Sequence, residues 1–354
     1  MKYSTFGRNN GLRVSEIALG TGLFGAHAGI SGLTRPGEGA ALAASVFEAF
    51  AEAGGNFIDT AEGYQAGESE RLVGQLVGRD RDDFVIASKY SVGLDRTEGP
   101  ARLGDSRKAM MSAIDGTLRR LGTDYLDVYW LHAHDAVTPM EEILRGLDDL
   151  VRAGKIRYGG LGNFPAWRVS RGDAIAAAHG WAPIAAITAE YSAAERAAER
   201  ELLPMAEALG LGFGAWSPLG SGFLTGTYPG TGGPEARLFH WAANGRPTPA
   251  DLAVRDAVAA VAARLDATAA QVGLAWILHR ARRSVTALVP ITSAPTAGDL
   301  KDNLQALHIE LSAQDIEDID AAGGFSLGEP HVHNLNAEKY VTSSDLIRPA
   351  VPVP

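Results

Sequence analysis

Short apolar runs alternate along the chain with longer segments whose apolar residues recur at helical spacing. Such runs, bounded by glycine, proline or polar residues, are typical of buried strands, and the longer segments are typical of amphipathic helices. The pattern predicts strands at 16–19, 56–59, 84–89, 126–132, 157–163, 184–188, 212–217 and 285–291. It predicts helices at 41–53, 106–121, 141–153, 199–209, 251–265, 269–279 and 296–307, and one more that begins near Ser69.

This strand–helix alternation predicts parallel strands joined by helical crossovers. Eight such units close into a (β/α)8 TIM barrel, an α/β fold with its functional groups at the carboxyl ends of the strands. A doubly wound open sheet is the rival fold, and residues 20–25 match its GxGxxG spacing. That match requires a helix directly after it, whereas Gly29, Gly32 and Pro36 predict a loop. The barrel is therefore favoured.

Both ends of the chain differ from this alternation. Extended runs at 2–6 and 12–14 flank Asn10-Gly11, a dipeptide typical of two-residue turns, and predict a β-hairpin that closes the bottom of the barrel. The polar and proline-rich segment 323–354 is expected to be a tail, which either packs over the barrel mouth and covers the active site or is partly disordered. No linker or repeat interrupts residues 1–354, so they are predicted to form a single domain.

The composition excludes several classes of function. The 354 residues contain no cysteine, which excludes disulfides, thiolate zinc sites, iron–sulfur clusters and cysteine nucleophiles. A formal net charge of -10 gives no basic surface for a nucleic acid. The sequence lacks a signal peptide and a membrane-spanning apolar run. We expect a cytoplasmic protein with a small-molecule substrate and no nucleic-acid or membrane partner; a homo-oligomer is compatible with the sequence.

Four polar side chains fall at or just beyond the ends of three consecutive predicted strands. Asp59 ends the second strand, and Tyr64 lies on the loop that follows it. Lys89 ends the third strand and His132 ends the fourth. Because the carboxyl ends of parallel strands lie at one rim, we expect these side chains to converge.

These four residue types suit the reduction of a carbonyl. A phenol has a pKa of about 10, and a neighbouring ammonium stabilises its anion. Asp59 is the natural partner that keeps Lys89 charged, while His132 is placed to orient a substrate oxygen. Such a set protonates an oxygen that gains negative charge when a hydride reaches the adjacent carbon. No side chain carries a hydride, so a nicotinamide cofactor is implied.

The surrounding segments resemble the aldo-keto reductase superfamily. The family pattern NFxDTAxxYGxGxSE corresponds to residues 56–70, with Gln65 where glycine is usual. Other family segments resemble residues 87–90, 131–135, 150–164, 191–204, 215–228 and, more loosely, 290–303. The resemblance implies an NAD(P)(H)-dependent oxidoreductase that interconverts a carbonyl and an alcohol. In it, Tyr64 is the general acid/base, Asp59 and Lys89 tune its acidity, and His132 orients the carbonyl.

The resemblance also implies where a nicotinamide dinucleotide binds without a Rossmann fold. Trp216 is expected to stack on the nicotinamide, and Asn163 is expected to hold its carboxamide. The other expected contacts are Ser217, Leu219, Ser221 and Gly222 at the pyrophosphate, and Ser293, Asp302 and Asn303 at the adenosine end.

The sequence departs from the family at three places around this cofactor. Gly162 replaces a serine and Thr188 replaces a glutamine, both of which normally help to bind the carboxamide. The segment expected to meet a 2′-phosphate, residues 293–299, has no lysine or arginine. Its Asp299 would repel a phosphate and accept hydrogen bonds from ribose hydroxyls instead. The family favours NADP(H), these residues favour NAD(H), and the sequence leaves both open.

The substrate is expected to contact the loops after the first, third and seventh strands and the tail. The predicted wall residues are Phe24, Tyr90, Trp130 and His240, with Phe239 and Trp241 beside them. Aromatic walls favour a sugar or a cyclic aldehyde or ketone as the substrate.

Two other functions stay open. Some relatives are redox-sensing subunits of ion channels, which bind nicotinamide but turn over slowly. His132 and His134 also have the spacing of a metal pair in a TIM-barrel hydrolase. No other histidine falls at a strand end that completes such a site, so we predict no metal.

Overall fold

Eight parallel strands form a closed barrel, as the alternation predicts. The computed structural model describes residues 1–26, 39–94, 98–226 and 246–341. A two-stranded antiparallel sheet, β1 (Tyr3–Thr5) and β2 (Arg13–Ser15), precedes the barrel. The barrel strands, hydrogen-bonded in chain order, are β3 (Ala18–Gly20), β4 (Phe57–Asp59), β5 (Val85–Tyr90), β6 (Leu126–Leu131), β7 (Ile156–Gly162), β8 (Ile184–Glu190), β9 (Gly212–Trp216) and β10 (Leu288–Thr292).

Helices connect the barrel strands and surround them. Those in the described part of the chain are α1 (Gly39–Glu52), α2 (Glu68–Val77), α3 (Arg107–Leu121), α4 (Met140–Arg152), α5 (Ala166–His179), α6 (Leu202–Leu209), α7 (Pro249–Arg264), α8 (Ala269–Ala281), α9 (Ala297–Leu304), α10 (Ala313–Ala322) and α11 (His331–Val341). Side-chain caps begin several of them: Ser106 accepts from the Ala109 N–H, and Thr268 forms a capping box with Gln271. No single helix among these is long and apolar enough to span a membrane; α7 and α8 pass that test only as a pair bent by 100°.

Two layers of apolar side chains hold the barrel together. The larger layer lies between the strands and the helices. The smaller layer fills the inside of the barrel with Phe6, Val14, Ala18, Phe57, Val85, Ala87, Val128, Trp130, Ala186, Val289 and Ile291. Because side chains alternate along a strand, the residue after an inward-facing one packs against the helices.

The N-terminal hairpin closes the bottom of the barrel, but its turn is not the predicted one. Thr5 pairs with Arg13, so seven residues separate the strands rather than two. Phe6 enters the barrel, where its ring lies 5.1 Å from that of Phe57. The Asn10 side chain donates to the Phe6 carbonyl. Burial of an aromatic ring in the barrel therefore outweighs the local preference of Asn10-Gly11 for a tight turn.

Three helices were not predicted from the sequence. The side of α5 that packs inward includes Val169, Gly172 and Ala176, which are too small and too few for a clear apolar stripe. The short α10 begins with a capping box at Ser312, and α11 lies within the segment expected to be a tail.

The described part of the tail packs beside the segment that follows β8. Phe325 lies under the Arg196 guanidinium, at 4.7 Å from its ring centroid. Arg200 donates to the Ser326 carbonyl, and His331 lies 2.9 Å from Glu201. Residues 342–354 lie outside the described part, so coverage of the active site by the tail stays a prediction.

Candidate active site

Three adjacent strands bring the four predicted catalytic residues to the same rim. Asp59 ends β4, Lys89 lies at the end of β5, and His132 directly follows β6. The strands pair side by side, with Asp59 opposite Ala87 and Lys89 opposite Trp130. Tyr64 begins a short 3-10 turn on the loop after β4. The structure therefore brings all four residues together.

The Lys89 ammonium is the centre of this group. It forms an ion pair with the Asp59 carboxylate, and both side chains are almost fully buried. It also donates to the Thr60 carbonyl at 2.9 Å and to the Tyr64 hydroxyl at 3.1 Å. Three oxygens thus surround Nζ, and one of them is the predicted proton donor.

Electrostatics keep Lys89 charged in spite of its burial. Burial disfavours the ammonium, but the charges of Asp59 and then of Tyr64 outweigh it, so the pKa of Lys89 is raised above its usual value. Burial also raises the pKa of Asp59, while Lys89 opposes that change. A fixed positive charge therefore lies beside the Tyr64 oxygen at neutral pH.

His132 is neutral at physiological pH. Burial, followed by the charge of Lys89, lowers the pKa of His132 to about 3. Its ring lies edge-on to Tyr64, with 5.9 Å between centroids. Its Nδ1 is buried and has no hydrogen-bond partner among the described residues, which assigns the ring hydrogen to Nε2, because an unpaired N–H costs more than an unpaired lone pair. His132 is thus an uncharged N–H donor next to the phenol.

A chain of hydrogen bonds links His132 to the residues predicted to bind the nicotinamide. Asn163 Nδ2 donates to the His132 carbonyl at 2.8 Å, and its Oδ1 accepts from Trp216 Nε1 at 3.0 Å. Asn163 has a φ of 58°, a left-handed conformation that is uncommon outside glycine and often found at functional sites. The Thr188 hydroxyl is buried nearby without a partner among the described residues. An orphaned polar atom beside a fixed amide and an indole suits a polar, planar ligand such as a carboxamide.

The loop after β9 contains several residues in a left-handed conformation. Ser217 and Ser221 have φ values of 50° and 55°, and their hydroxyls lie 3.0 Å apart. Leu219 has φ -108° and ψ 19°, and Gly220 follows with φ 58°. The N–H groups of Gly220 and Gly222 are bonded to the carbonyls of Ser217 and Leu219 within the loop. The paired serine hydroxyls can donate to the pyrophosphate predicted there.

The residues predicted for the adenosine end flank β10 and α9. Ser293 and Asp299 are exposed, and Thr296 caps α9 while donating to the Asp299 carboxylate. Asp302 accepts from Thr268 and Gln271, and Asn303 is buried. Asp302 is thus already bonded to α8, whereas Ser293 and Asp299 face solvent.

Gly162, one of the departures from the family, has a steric explanation. A Cβ atom at this position would lie 2.5 Å from the Leu131 carbonyl oxygen and 3.1 Å from the His132 carbonyl oxygen. Both are backbone atoms, one at the end of β6 and one in the residue that follows it, and they cannot move independently. The serine usual in the family therefore does not fit this chain.

We expect Gly162→Ser to lower the free energy of unfolding by about 1–3 kcal/mol, the usual cost of overpacking. It should also weaken cofactor binding, because β7 positions Asn163. Thermal denaturation and a cofactor titration measure the two effects. The matched control is Gly11→Ser, since a Cβ at Gly11 meets nothing within 4 Å. Unchanged stability of Gly162→Ser would contradict this account.

The predicted wall residues that the structure describes do not form an open surface. Tyr90 follows the inward-facing Lys89, so its ring points outward, stacks on Tyr129 and is fully buried; assigning it to the wall was wrong. Trp130 does face inward but is fully buried inside the barrel, and Phe24 is 2% exposed, so neither offers an open surface in this structure. His240, with Phe239 and Trp241, lies outside the described residues.

The surroundings of His134 bear on the metal pair considered for His132 and His134. His134 lies against the Arg168 guanidinium, and its ring centroid is 5.0 Å from that of Phe164. The adjacent positive charge opposes a metal cation at His134. Within the described ranges, no group of three or more histidine and acidic residues has metal-binding geometry.

Glu62 is a buried charge near the site that the sequence analysis overlooked. It lies between Asp59 and Tyr64, is 5% exposed, and its backbone N–H donates to the Lys89 carbonyl at 3.1 Å. The available signal was a second acidic residue, three positions after Asp59, within the same strand–loop segment.

The chain is similar to known proteins along most of its length. The model of the Aldo/keto reductase family matches residues 16–323. A norsolorinic acid reductase of Aspergillus flavus is 33% identical over 332 residues, which cover 90% of this chain and 80% of that protein. An aryl-alcohol dehydrogenase of Pestalotiopsis microspora is 32% identical over 301 residues, which cover 82% of this chain and 74% of that protein. A norsolorinic acid reductase B of Dothistroma septosporum is 33% identical over 343 residues, which cover 94% of this chain and 84% of that protein.

Proposed function

The chain belongs to the aldo/keto reductase family, and we propose that it transfers a hydride between a nicotinamide dinucleotide and a carbonyl carbon, with Tyr64 as the general acid/base. The resemblance inferred from the motifs is thereby confirmed at the level of family and of enzyme class: the protein is an oxidoreductase that acts on carbonyls or alcohols. The cofactor and the role of each residue belong to the proposal.

The observation that carries the proposal is the position of Lys89 Nζ, 3.1 Å from the Tyr64 hydroxyl oxygen. An ammonium at this distance stabilises the phenolate that remains after the phenol has donated its proton. Asp59 fixes the ammonium from the other side and keeps it charged. In reduction, Tyr64 protonates the carbonyl oxygen as negative charge develops on it; in oxidation, the phenolate accepts the proton from the alcohol.

His132 assists by orientation. Its neutral imidazole donates a hydrogen bond from Nε2 to the substrate oxygen. It does not compete with Tyr64 as an acid, because its pKa of about 3 means that the imidazolium is not formed at neutral pH. The two rings lie edge-on with 5.9 Å between their centroids. The substrate oxygen then accepts from both Tyr64 and His132.

The residues present fit a nicotinamide dinucleotide. Asn163, Thr188 and Trp216 would hold the carboxamide end, the loop with Ser217, Leu219, Ser221 and Gly222 would hold the pyrophosphate, and Ser293, Asp299, Asp302 and Asn303 would hold the adenosine end. When bound, the nicotinamide supplies or accepts the hydride. The protein groups would position it.

We propose that NAD(H) is preferred over NADP(H). Asp299 presents an exposed carboxylate in the first turn of α9. Lys301, two residues on, is directed to Glu52 at 3.7 Å. A 2′-phosphate beside Asp299 would meet a like charge, whereas ribose hydroxyls can donate to it.

Titration of tryptophan fluorescence with NADH and NADPH tests this preference. The dissociation constant for NADH is expected to be about five- to thirtyfold lower, the effect of about 1–2 kcal/mol of like-charge repulsion near the surface. Asp299→Arg should lower the dissociation constant for NADPH. Asp299→Asn should reduce the difference between the two dissociation constants without reversing the preference for NADH. Tighter binding of NADPH than of NADH by the unmodified protein would contradict the preference for NAD(H). If the unmodified protein bound neither dinucleotide, the cofactor assignment itself would be wrong.

The names of the relatives favour an aromatic carbonyl or alcohol as the substrate. Two are norsolorinic acid reductases and one is an aryl-alcohol dehydrogenase. An aromatic substrate is one form of the cyclic carbonyl inferred from the sequence. Turnover with benzaldehydes, aliphatic aldehydes and aldoses, compared by kcat/KM, separates these classes; the proposal expects the benzaldehydes to be reduced fastest.

A further inference from the structure

A cluster of three hydroxyl groups lies buried at the ends of β3 and β4. Ser69, in the first turn of α2, has its Oγ 2.8 Å from Thr21 Oγ1 and 3.0 Å from Thr60 Oγ1. All three side chains are fully buried. Thr21 directly follows β3 and Thr60 directly follows β4, so this hydroxyl cluster joins two strand ends to the helix that comes after them.

The direction of these hydrogen bonds follows from the number of hydroxyl hydrogens. Ser69 has one hydrogen, and it donates to the Thr21 carbonyl at 2.8 Å. The Thr60 hydroxyl therefore donates to Ser69 Oγ, which is its one partner among the described residues. The Thr21 hydroxyl has a second acceptor, the Asp59 carbonyl at 3.2 Å. Loss of the Ser69 hydroxyl thus leaves Thr60, but not Thr21, with a buried and unpaired hydroxyl.

The hydroxyl cluster holds the backbone that surrounds the Lys89 ammonium. Two of the three oxygens around Nζ come from adjacent residues, the Asp59 carboxylate and the Thr60 carbonyl, the second at 2.9 Å. The Thr21 backbone N–H donates to the Asp59 carbonyl at 2.9 Å, and the Thr60 side chain is bonded to Ser69. The residues that fix the ammonium are therefore themselves fixed by Thr21 and Ser69.

The same cluster connects the two ends of the loop that carries Tyr64. This loop runs from Thr60 to Ser69, and the hydrogen bond between their side chains closes it. Three consecutive residues within it have left-handed φ values of 50°, 53° and 80°: Gln65, Ala66 and Gly67. Left-handed residues other than glycine are strained and persist only where surrounding contacts fix them. The bond across the ends of the loop is one such contact.

We propose that Ser69 is a positioning residue for the reaction proposed above: by closing the loop onto Thr60, its hydroxyl keeps the phenol of Tyr64 beside the ammonium. The Tyr64 hydroxyl lies 3.1 Å from Lys89 Nζ, and both depend on the segment that Ser69 fixes. Ser69 acts through these residues and not on the substrate, because its side chain is fully buried. Loss of its hydroxyl releases the loop and the Thr60 backbone together.

Ser69→Ala is expected to lower kcat for carbonyl reduction by roughly 10- to 100-fold, because misplacing a reacting group by about 1 Å costs up to about 10²-fold. This readout rests on the proposed function. The dissociation constant of the reduced dinucleotide should stay that of the unmodified protein, since the predicted cofactor contacts lie on other loops.

The matched control is Ser15→Ala, at the bottom of the barrel. Ser15 is also fully buried, and its hydroxyl donates to the Ile17 carbonyl at 2.7 Å. Ser15→Ala should therefore lower the melting temperature, as Ser69→Ala does, but it should retain kcat. A loss of kcat in both variants would show that the effect of Ser69 is one of stability alone.

A double variant separates positioning from stability. Ser69→Ala combined with Thr60→Val removes the hydroxyl that Ser69→Ala leaves unpaired, so it should melt at a higher temperature than Ser69→Ala. Its kcat should stay low, because the loop is still open. The losses of kcat in the two single variants should not multiply, since both break the same bond. Thr60→Ser keeps the hydroxyl and should have a higher kcat than Thr60→Val.

Hydrogen exchange reports on the loop without turnover. The Thr60 N–H donates to the Ala87 carbonyl, and the Tyr64 N–H donates to the Ala61 carbonyl. A peptide covering 60–68 should exchange faster in Ser69→Ala than in the unmodified protein, and Ser15→Ala should not show this change. If Ser69→Ala does not fold, the comparison of Thr60→Val with Thr60→Ser gives the same test.

Two results would overturn the positioning role. One is unchanged kcat and exchange in Ser69→Ala and Thr60→Val, and the other is recovery of kcat together with stability in the double variant. Faster exchange in Ser69→Ala, with no carbonyl turnover by the unmodified protein, would overturn only the proposed function.

Discussion

Tyr64→Phe is expected to lower kcat for carbonyl reduction by roughly 10²–10⁴-fold, the usual contribution of a positioned general acid. The change removes only the hydroxyl that lies 3.1 Å from Lys89 Nζ. The aromatic ring stays, so its edge-on contact with His132 and the shape of the mouth are retained. Steady-state reduction of an aromatic aldehyde measures the loss.

Cofactor binding separates this chemical role from a structural one. The dissociation constant of the reduced dinucleotide, read from tryptophan fluorescence, should change less than about threefold in Tyr64→Phe, because the predicted cofactor contacts are on other loops. The matched control is Tyr125→Phe, which removes a surface hydroxyl that donates to Asp82, and should leave kcat unchanged. A Tyr64→Phe enzyme that retains a tenth or more of its kcat would show that another group donates the proton.

Lys89→Met should abolish most turnover and also destabilise the fold. It removes the ammonium that stabilises the Tyr64 phenolate, so a loss of kcat of about 10²-fold or more is expected. It also leaves the Asp59 carboxyl, 2% exposed, without its cation. Breaking a buried ion pair in this way costs about 3–5 kcal/mol of the free energy of unfolding.

The pH dependence of the destabilisation in Lys89→Met shows whether it arises from the unpaired Asp59 carboxylate. Without Lys89, burial raises the pKa of Asp59 further above its unfolded value, so the lone carboxyl is tolerated while protonated and becomes costly as the pH rises through its folded pKa. Lys89→Met should therefore be closest to the unmodified protein in stability at acidic pH.

Two variants complete this experiment. Asp59→Asn combined with Lys89→Met removes both charges and should recover stability at neutral pH but not activity. Lys155→Met, at an exposed ion pair with Asp115, should change neither property. Recovery of activity in the double variant would contradict the role of Lys89.

The positions of the four proposed catalytic residues were predictable because they depend on local patterns. Buried strands are visible as short apolar runs, and a polar residue at the end of each run must emerge at the carboxyl rim of a parallel barrel. Asp59, Lys89 and His132 are such residues, and Tyr64 follows within one loop. The structure places them at one rim, as expected.

One error arose although the sequence contained the information needed to avoid it. Tyr90 was assigned to the substrate wall although it directly follows Lys89, and adjacent residues of a strand face opposite sides. Alternation alone places one of the two outside the barrel. The hairpin turn at Asn10-Gly11 is a different case, because the gain that overrides the local preference is burial of Phe6 among residues that are distant in sequence.

The order of the strands, the closed barrel and the identity of the side chains at its rim follow from the sequence by itself, because hydrophobic periodicity and strand-end residues are local properties. Only the tertiary structure decided which charges face one another. Glu70 pairs with Arg120, and Gly162 lies against the Leu131 carbonyl, through contacts between segments that are far apart in the chain. Electrostatic energy and steric fit depend on distances in space, and spacing along the sequence does not specify those distances.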